Sequence, residues 1–126
     1  MFGPGNRRAL VLPEMLDRVA NSLECYMDLL SARQRQVASN IANADTPGYK
    51  TKDIDFRTEF LSAVNGSAPR PVEVRGLESK SDGNNVSVDR EARLLSETAL
   101  RFSVASNLLR SQIRSLRSAI QEGRNT

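Results

Sequence analysis

Chemistry in a chain this short has to come from a few side chains, and little is on offer. The 126 residues contain no His and a single Cys, Cys25. An imidazole base is therefore excluded, and no internal disulfide can form. Cys25 lies inside a helical apolar pattern, where a small, partly buried side chain is expected rather than a thiolate nucleophile. Asp53 and Asp55 stand two residues apart, which does not define an acid/base pair, and they read as solvated residues of a surface segment. There is no Gly-rich phosphate loop and no metal-ligand spacing. The sequence predicts a non-enzyme without cofactor or metal. Arg110, Arg114 and Arg117 line one side of a helical segment and can track phosphates. No aromatic platform or recognition-helix motif accompanies them, so a solvated or ion-paired helix face is the better reading.

The most informative stretch is structural in character: Ala38-Ser39-Asn40-Ile41-Ala42-Asn43-Ala44-Asp45-Thr46-Pro47-Gly48-Tyr49-Lys50. Up to Asn43 it reads as the end of a long helix. Pro47 disfavours α conformation at Thr46, and Gly48 supplies a positive φ, so Asp45, Thr46, Pro47 and Gly48 end that helix in a type II turn. Asn40 and Asn43 fall in the last turn, where side-chain amides can bond the backbone groups that the ending helix leaves unpaired. On local chemistry alone this is a well-made helix stop.

The elements around it follow from periodicity. Residues 1–12, with Gly3, Pro4, Gly5 and the pair Arg7-Arg8, are expected to be a flexible tail. Their apolar run is too short for a secretory signal or a membrane span, and no cleaved signal peptide is expected. A helix is expected over 13–44, with Pro13 in its first turn. Its apolar seam has 4-3 spacing through Leu16, Ala20, Leu23, Met27, Leu30, Gln34, Val37 and Ile41. A connector over 45–88 holds a short helix carrying Phe56, Phe60 and Val64, then a possible short strand at Val72-Glu73-Val74-Arg75. Ser79 to Asn85 is polar, turn-rich and expected to be mobile. A second long helix is expected over 89–122, with Asp89 as N-cap and Gly123 as its stop. Its seam runs through Val88, Ala92, Leu95, Ala99, Phe102, Ser106, Leu109, Ile113, Leu116 and Ile120.

Two matched seams should pair, giving one mainly α domain over 1–126: an antiparallel, coiled-coil-like hairpin with an irregular middle. Antiparallel order follows from charge, since both helices are acidic early and basic late. Leu100, Val104 and Leu108 form a further apolar stripe away from the seam. A lone hairpin leaves that stripe in water, so either a neighbouring subunit covers it or Phe56 and Phe60 fold back over it.

The string Asn40-Ile41-Ala42-Asn43-Ala44-Asp45-Thr46-Pro47-Gly48-Tyr49-Lys50 closely resembles the N-terminal motif of bacterial flagellar rod and hook proteins. Lys52-Asp53-Ile54-Asp55-Phe56 resembles its continuation in proximal rod proteins. Asp82-Gly83-Asn84-Asn85-Val86-Ser87-Val88-Asp89-Arg90-Glu91 resembles the segment that leads that family into its C-terminal helix. The resemblance implies a structural subunit of the basal-body rod, the shaft that carries torque from the membrane ring to the hook. Implied partners are copies of itself, other rod proteins, the membrane ring, the rod-base adaptor and the flagellar type III export apparatus. The implied location is the periplasmic rod, reached without a cleaved signal. Two other readings stay open on residues alone: a basic helical hairpin binding nucleic acid or a regulatory partner, and a small secreted effector or chaperone-like module. The resemblance favours neither nucleic acid nor a membrane span.

Overall fold

A computed structural model describes residues 4–63 and 65–124. The order of elements is helix α1 (Pro4–Ala42), strand β1 (Lys52–Ile54), helix α2 (Phe56–Ala63), strand β2 (Pro71–Glu73) and helix α3 (Val88–Arg124). The fold is mainly helical, with the two long terminal helices packed on each other and a small sheet between them in sequence. The order is antiparallel: Asn40 meets Glu91 near the end of α1, and further back along α1 Leu23 and Tyr26 share a groove with Val104 and Leu108. Charge contributes less to this order than its pattern suggested. Arg93–Asp89 and Arg101–Glu97 are i,i+4 pairs inside α3. Among the described residues, the side-chain hydrogen bond that joins the two helices is Asn40–Glu91. Tyr26 of α1, and then Glu97, raise the Arg101 pKa above its ordinary value.

Helix α1 begins at Pro4, not at Pro13, so the tail expected over 1–12 is helical from its fourth residue. Pro13 sits in the helix interior, where it forgoes one backbone hydrogen bond. The good helix formers Ala9, Leu10 and Leu12 precede it and carry the helix past that defect.

From Leu29 onward α1 is buried on two faces. Leu30 and Val37 are fully enclosed, while Leu29 and Ala32 form a small core with Ile54 of β1, closed over by Phe56 and Phe60 of α2. The ring of Tyr26 meets Phe56 edge-on at 5.8 Å. Strands β1 and β2 pair antiparallel, with Asp53 opposite Val72, so the strand expected at Val72-Glu73-Val74-Arg75 is present but starts one residue earlier, at Pro71, and ends at Glu73. Asp55 is not merely solvated: it caps α2, accepting from the Thr58 hydroxyl at 2.9 Å.

The seam of α3 differs from the one read by counting apolar residues. Glu91, Thr98 and Ala105, seven apart, are the buried positions, interleaved with half-buried Phe102, Leu109 and Leu116. Leu95, Ile113 and Ile120 remain 39%, 39% and 49% exposed, so α3 is rotated away from its most apolar edge. The cause is the polar tie at its start, since Glu91 must face Asn40. On α1, Leu16, Leu23, Met27 and Ile41 are half-buried. Helix α3 starts one residue early, at Val88, capped by the Ser87 hydroxyl rather than by Asp89, and runs past Gly123 to Arg124.

Among the described residues, Thr98 Oγ1 is the buried side-chain polar atom without a hydrogen-bond partner. Thr98→Val keeps the shape and removes that hydroxyl, so it is expected to stabilise the fold by about 1 kcal/mol. Thermal unfolding followed by circular dichroism checks this, and a lower midpoint would refute it.

Candidate functional site

The sequence singles out Asn40, Asn43, Asp45, Thr46, Pro47, Gly48 and Tyr49, and the structure places all of them at the junction where α1 gives way to extended chain. Tyr49 N–H donates to Thr46 O at 3.2 Å, with Pro47 and Gly48 between them and φ of 76° at Gly48. Pro followed by a residue of positive φ defines the type II turn. Asn43 Nδ2 donates to Ser39 O at 2.8 Å and the Thr46 hydroxyl donates to Asn43 Oδ1, which closes the last helical turn. Asp45 is exposed.

Asn40 does something the sequence did not foretell. Fully buried, it bonds both backbone groups of Lys52: Nδ2 donates to Lys52 O at 2.7 Å, and Oδ1 accepts from Lys52 N–H at 3.3 Å. Its amide thus takes the place of a neighbouring strand beside β1. The same oxygen accepts from the Tyr49 hydroxyl and Gln36 Nε2, and the same nitrogen donates to Glu91 Oε2 at 3.1 Å. The other oxygen of Glu91 is paired with Arg90 at 2.7 Å. Only an amide offers a donor and an acceptor at these two points.

The second loop motif supplies the rest. Asn84 is also fully buried, and its Nδ2 donates to Asn43 O and Thr46 O, both at 2.8 Å. Each of these carbonyls also accepts a backbone N–H of the turn, Asn43 O from Thr46 and Thr46 O from Tyr49, so Asn84 adds a second donor to both. Asn85 Oδ1 accepts from Thr51 N–H, and Asn85 N–H donates to Tyr49 O. Gly48 N–H donates to Asp82 O at 2.9 Å, and Gly83, with φ of 85°, turns the chain against Gly48. Residues 79–85, expected to be mobile, are therefore tied down: their side-chain amides find backbone partners across the turn, and Lys80 reaches Ala44 O. A third tie is Arg33, which pairs with Asp53 at 2.9 Å, reaches Ile54 O, and lies 4.1 Å from the Phe56 ring centre. Asp53, read as solvated, is a half-buried ion-pair partner.

Gln36, Arg33, Asn84, Asn85 and Glu91 were missed as site residues. Leu29, Arg33, Gln36 and Asn40 recur at helical spacing beside the apolar seam, and that second stripe was the available signal.

The stripe Leu100, Val104 and Leu108 is open, at 67%, 52% and 50% exposure. Phe56 and Phe60 pack on α1 and do not fold over it. Among the described residues no group of His, Cys, Asp and Glu is arranged to hold a metal ion, and no helix is long and apolar enough to cross a membrane.

The comparisons with known proteins fall on this junction. A family described as "Flagella basal body rod protein" matches residues 27–50, the buried half of α1 and its turn. The flagellar basal body rod protein FlgB of Yersinia ruckeri is 31% identical over 137 aligned positions, covering 86% of this chain and 100% of that protein. The chain belongs to the flagellar basal-body rod protein FlgB family. Its Salmonella typhimurium relative is 30% identical, with 86% and 99% covered, and that of Borrelia hermsii 30%, with 66% and 81% covered. Nothing in the site or in these relatives favours the nucleic-acid reading, and Arg110, Arg114 and Arg117 stand exposed on α3.

Two outcomes are expected at this site. Asn40→Ala leaves both backbone groups of Lys52 and the buried Oε2 of Glu91 without partners and should cost about 3–5 kcal/mol in urea unfolding; a cost under about 1 kcal/mol would contradict the clamp. At the turn, Gly48→Val should lose roughly 1–3 kcal/mol and Gly48→Asn clearly less, because Asn tolerates positive φ and a β-branched residue does not. Equal losses would count against the backbone argument.

Proposed function

We propose that this chain is a structural subunit of the flagellar basal-body rod, working as a single domain over residues 1–126. Its terminal helices pack with copies of itself and with other rod proteins. The observation that carries this reading is a junction locked by buried amides from which two long helices project with apolar flanks open to water. The junction is complete in itself, and the flanks are complete only in an assembly. A drive shaft needs both properties: a subunit that does not hinge, and side faces that interlock with neighbours. The buried polar groups of the clamp bond one another and the backbone, which leaves no position for a reacting ligand, and no catalytic role is proposed.

Membership of the family supports the finer parts of the reading. These are torque transfer from the membrane ring toward the hook, a place in the periplasmic span of the rod, contact with the ring and rod-base adaptor, and delivery through the flagellar type III export apparatus. Loss of the chain should stop rod assembly and swimming.

The direct test is whether the chain is present in isolated basal bodies; absence there would overturn the reading. A sharper expectation concerns the stripe. Val104→Asp should leave the helix content of the purified chain unchanged while abolishing swimming, because burying an unpaired carboxylate between subunits costs several kcal/mol. Normal swimming of that strain would show that the stripe is not a subunit contact.

A further inference from the structure

The two flanks of the α1–α3 pair differ in charge. On one flank an apolar groove passes Leu23, Tyr26, Phe60 and Val104, and the charged residues lining it are Arg18, Arg57 and Arg101. On the other, Met27, Phe102 and Leu109 form a second groove, whose charged lining is Glu24 and Asp28. Helix geometry sets the two apart. With Ala105 facing α1 and about 100° per residue, Leu100, Val104 and Leu108 lie roughly 60–140° to one side, while Phe102, Leu109 and Ile113 lie roughly 40–80° to the other. Arg101 is held by Glu97 within the chain. Arg18, Arg57, Glu24 and Asp28 are in no ion pair among the described residues.

From this we infer that copies of this chain associate head to tail, the basic groove of one seating the acidic flank of the next. A symmetric contact would set arginine on arginine or carboxylate on carboxylate, and like-charge juxtaposition disfavours such a pairing. A contact between two different faces leaves one of each free at the ends, so it repeats into a ring or an open helix. The inference rests on the rod-subunit reading and adds the occupant, a second copy, and the faces that meet.

The test uses the full chain in sedimentation velocity at low salt, with circular dichroism as the control for folding. The wild type should grow beyond a dimer as concentration rises and should dissociate as salt is added. Arg18→Glu with Arg57→Glu, and separately Glu24→Arg with Asp28→Arg, should each weaken self-association at least tenfold. All four residues are exposed, so helix content should hold. Mixing the two reversed chains, or combining all four reversals in one chain, should restore growth. The inference is overturned by a wild type that stays monomeric, by association insensitive to salt, by reversal of the acids having no effect, or by the fourfold variant remaining monomeric. Salt dependence decides the matter if a reversed chain loses helix content. If any of these results is obtained with a chain that is nevertheless present in basal bodies, the head-to-tail contact falls while the rod-subunit reading stands.

Discussion

A helix that ends inside a structure leaves carbonyls without partners, and an extended segment that follows with one short strand beside it leaves amides in the same condition. Satisfying these groups at one corner is the constraint on which the rest of this molecule depends. The corner lies between Asn40 and Lys52, and the chain cannot close it locally. Asn84 and Asn85, some forty residues later in sequence, give the Asn43 and Thr46 carbonyls a second donor and Thr51 N–H its acceptor. Asn40 supplies both groups that Lys52 lacks. Each bond has a modest net worth of about 1 kcal/mol, but each unmade bond at a buried site costs more than that. The corner therefore forms as a unit, and it forms only when both loop motifs are present.

That closure fixes more than the turn. Glu91, one turn into α3, is drawn into the same network, and its place beside Asn40 sets the rotation of a helix 37 residues long. Thr98 and Ala105 follow it at seven-residue intervals onto the face against α1, although Leu95 and Ile113 are the more apolar choices. A hydrophobic criterion alone would turn the helix by about one residue. The apolar residues displaced from the seam are left on the flanks, where they stay exposed in the lone chain. Buried polar groups that specify a single arrangement at the expense of apolar burial are known to act in this way.

The long helices, the helix stop and the type II turn at Gly48 were legible because each rests on local rules: period, proline, and positive φ. The antiparallel order was legible too, though the charge gradient that suggested it is not what joins the helices. What sequence reasoning did not reach were contacts whose partners are remote. Nothing near Asp53 announces Arg33, and nothing near Asn84 announces the carbonyls of Asn43 and Thr46. A polar, turn-rich run such as residues 79–85 reads as mobile because composition records what a segment is made of and not where its amides find partners. The rotation of α3 failed for the same reason: one buried carboxylate outweighed a count of apolar positions.

Burial is uneven along the hairpin. At the clamp end, α1 is buried against β1, α2 and α3, and Leu29, Leu30 and Val37 are enclosed. Toward the other end Val11, Leu12, Met15, Ile113 and Ile120 are largely exposed, and the two helices have only each other. Covering a stripe of three side chains such as Leu100, Val104 and Leu108 yields about 1.5–3 kcal/mol for each when burial is complete. Joining two bodies in solution costs about 4–15 kcal/mol in lost freedom, so a single such contact is weak. A subunit seated between several neighbours loses that freedom once while gaining several contacts. Self-association of the free chain is therefore weak and concentration-dependent, and burial of the length that the lone chain leaves uncovered becomes more favourable with each neighbour added.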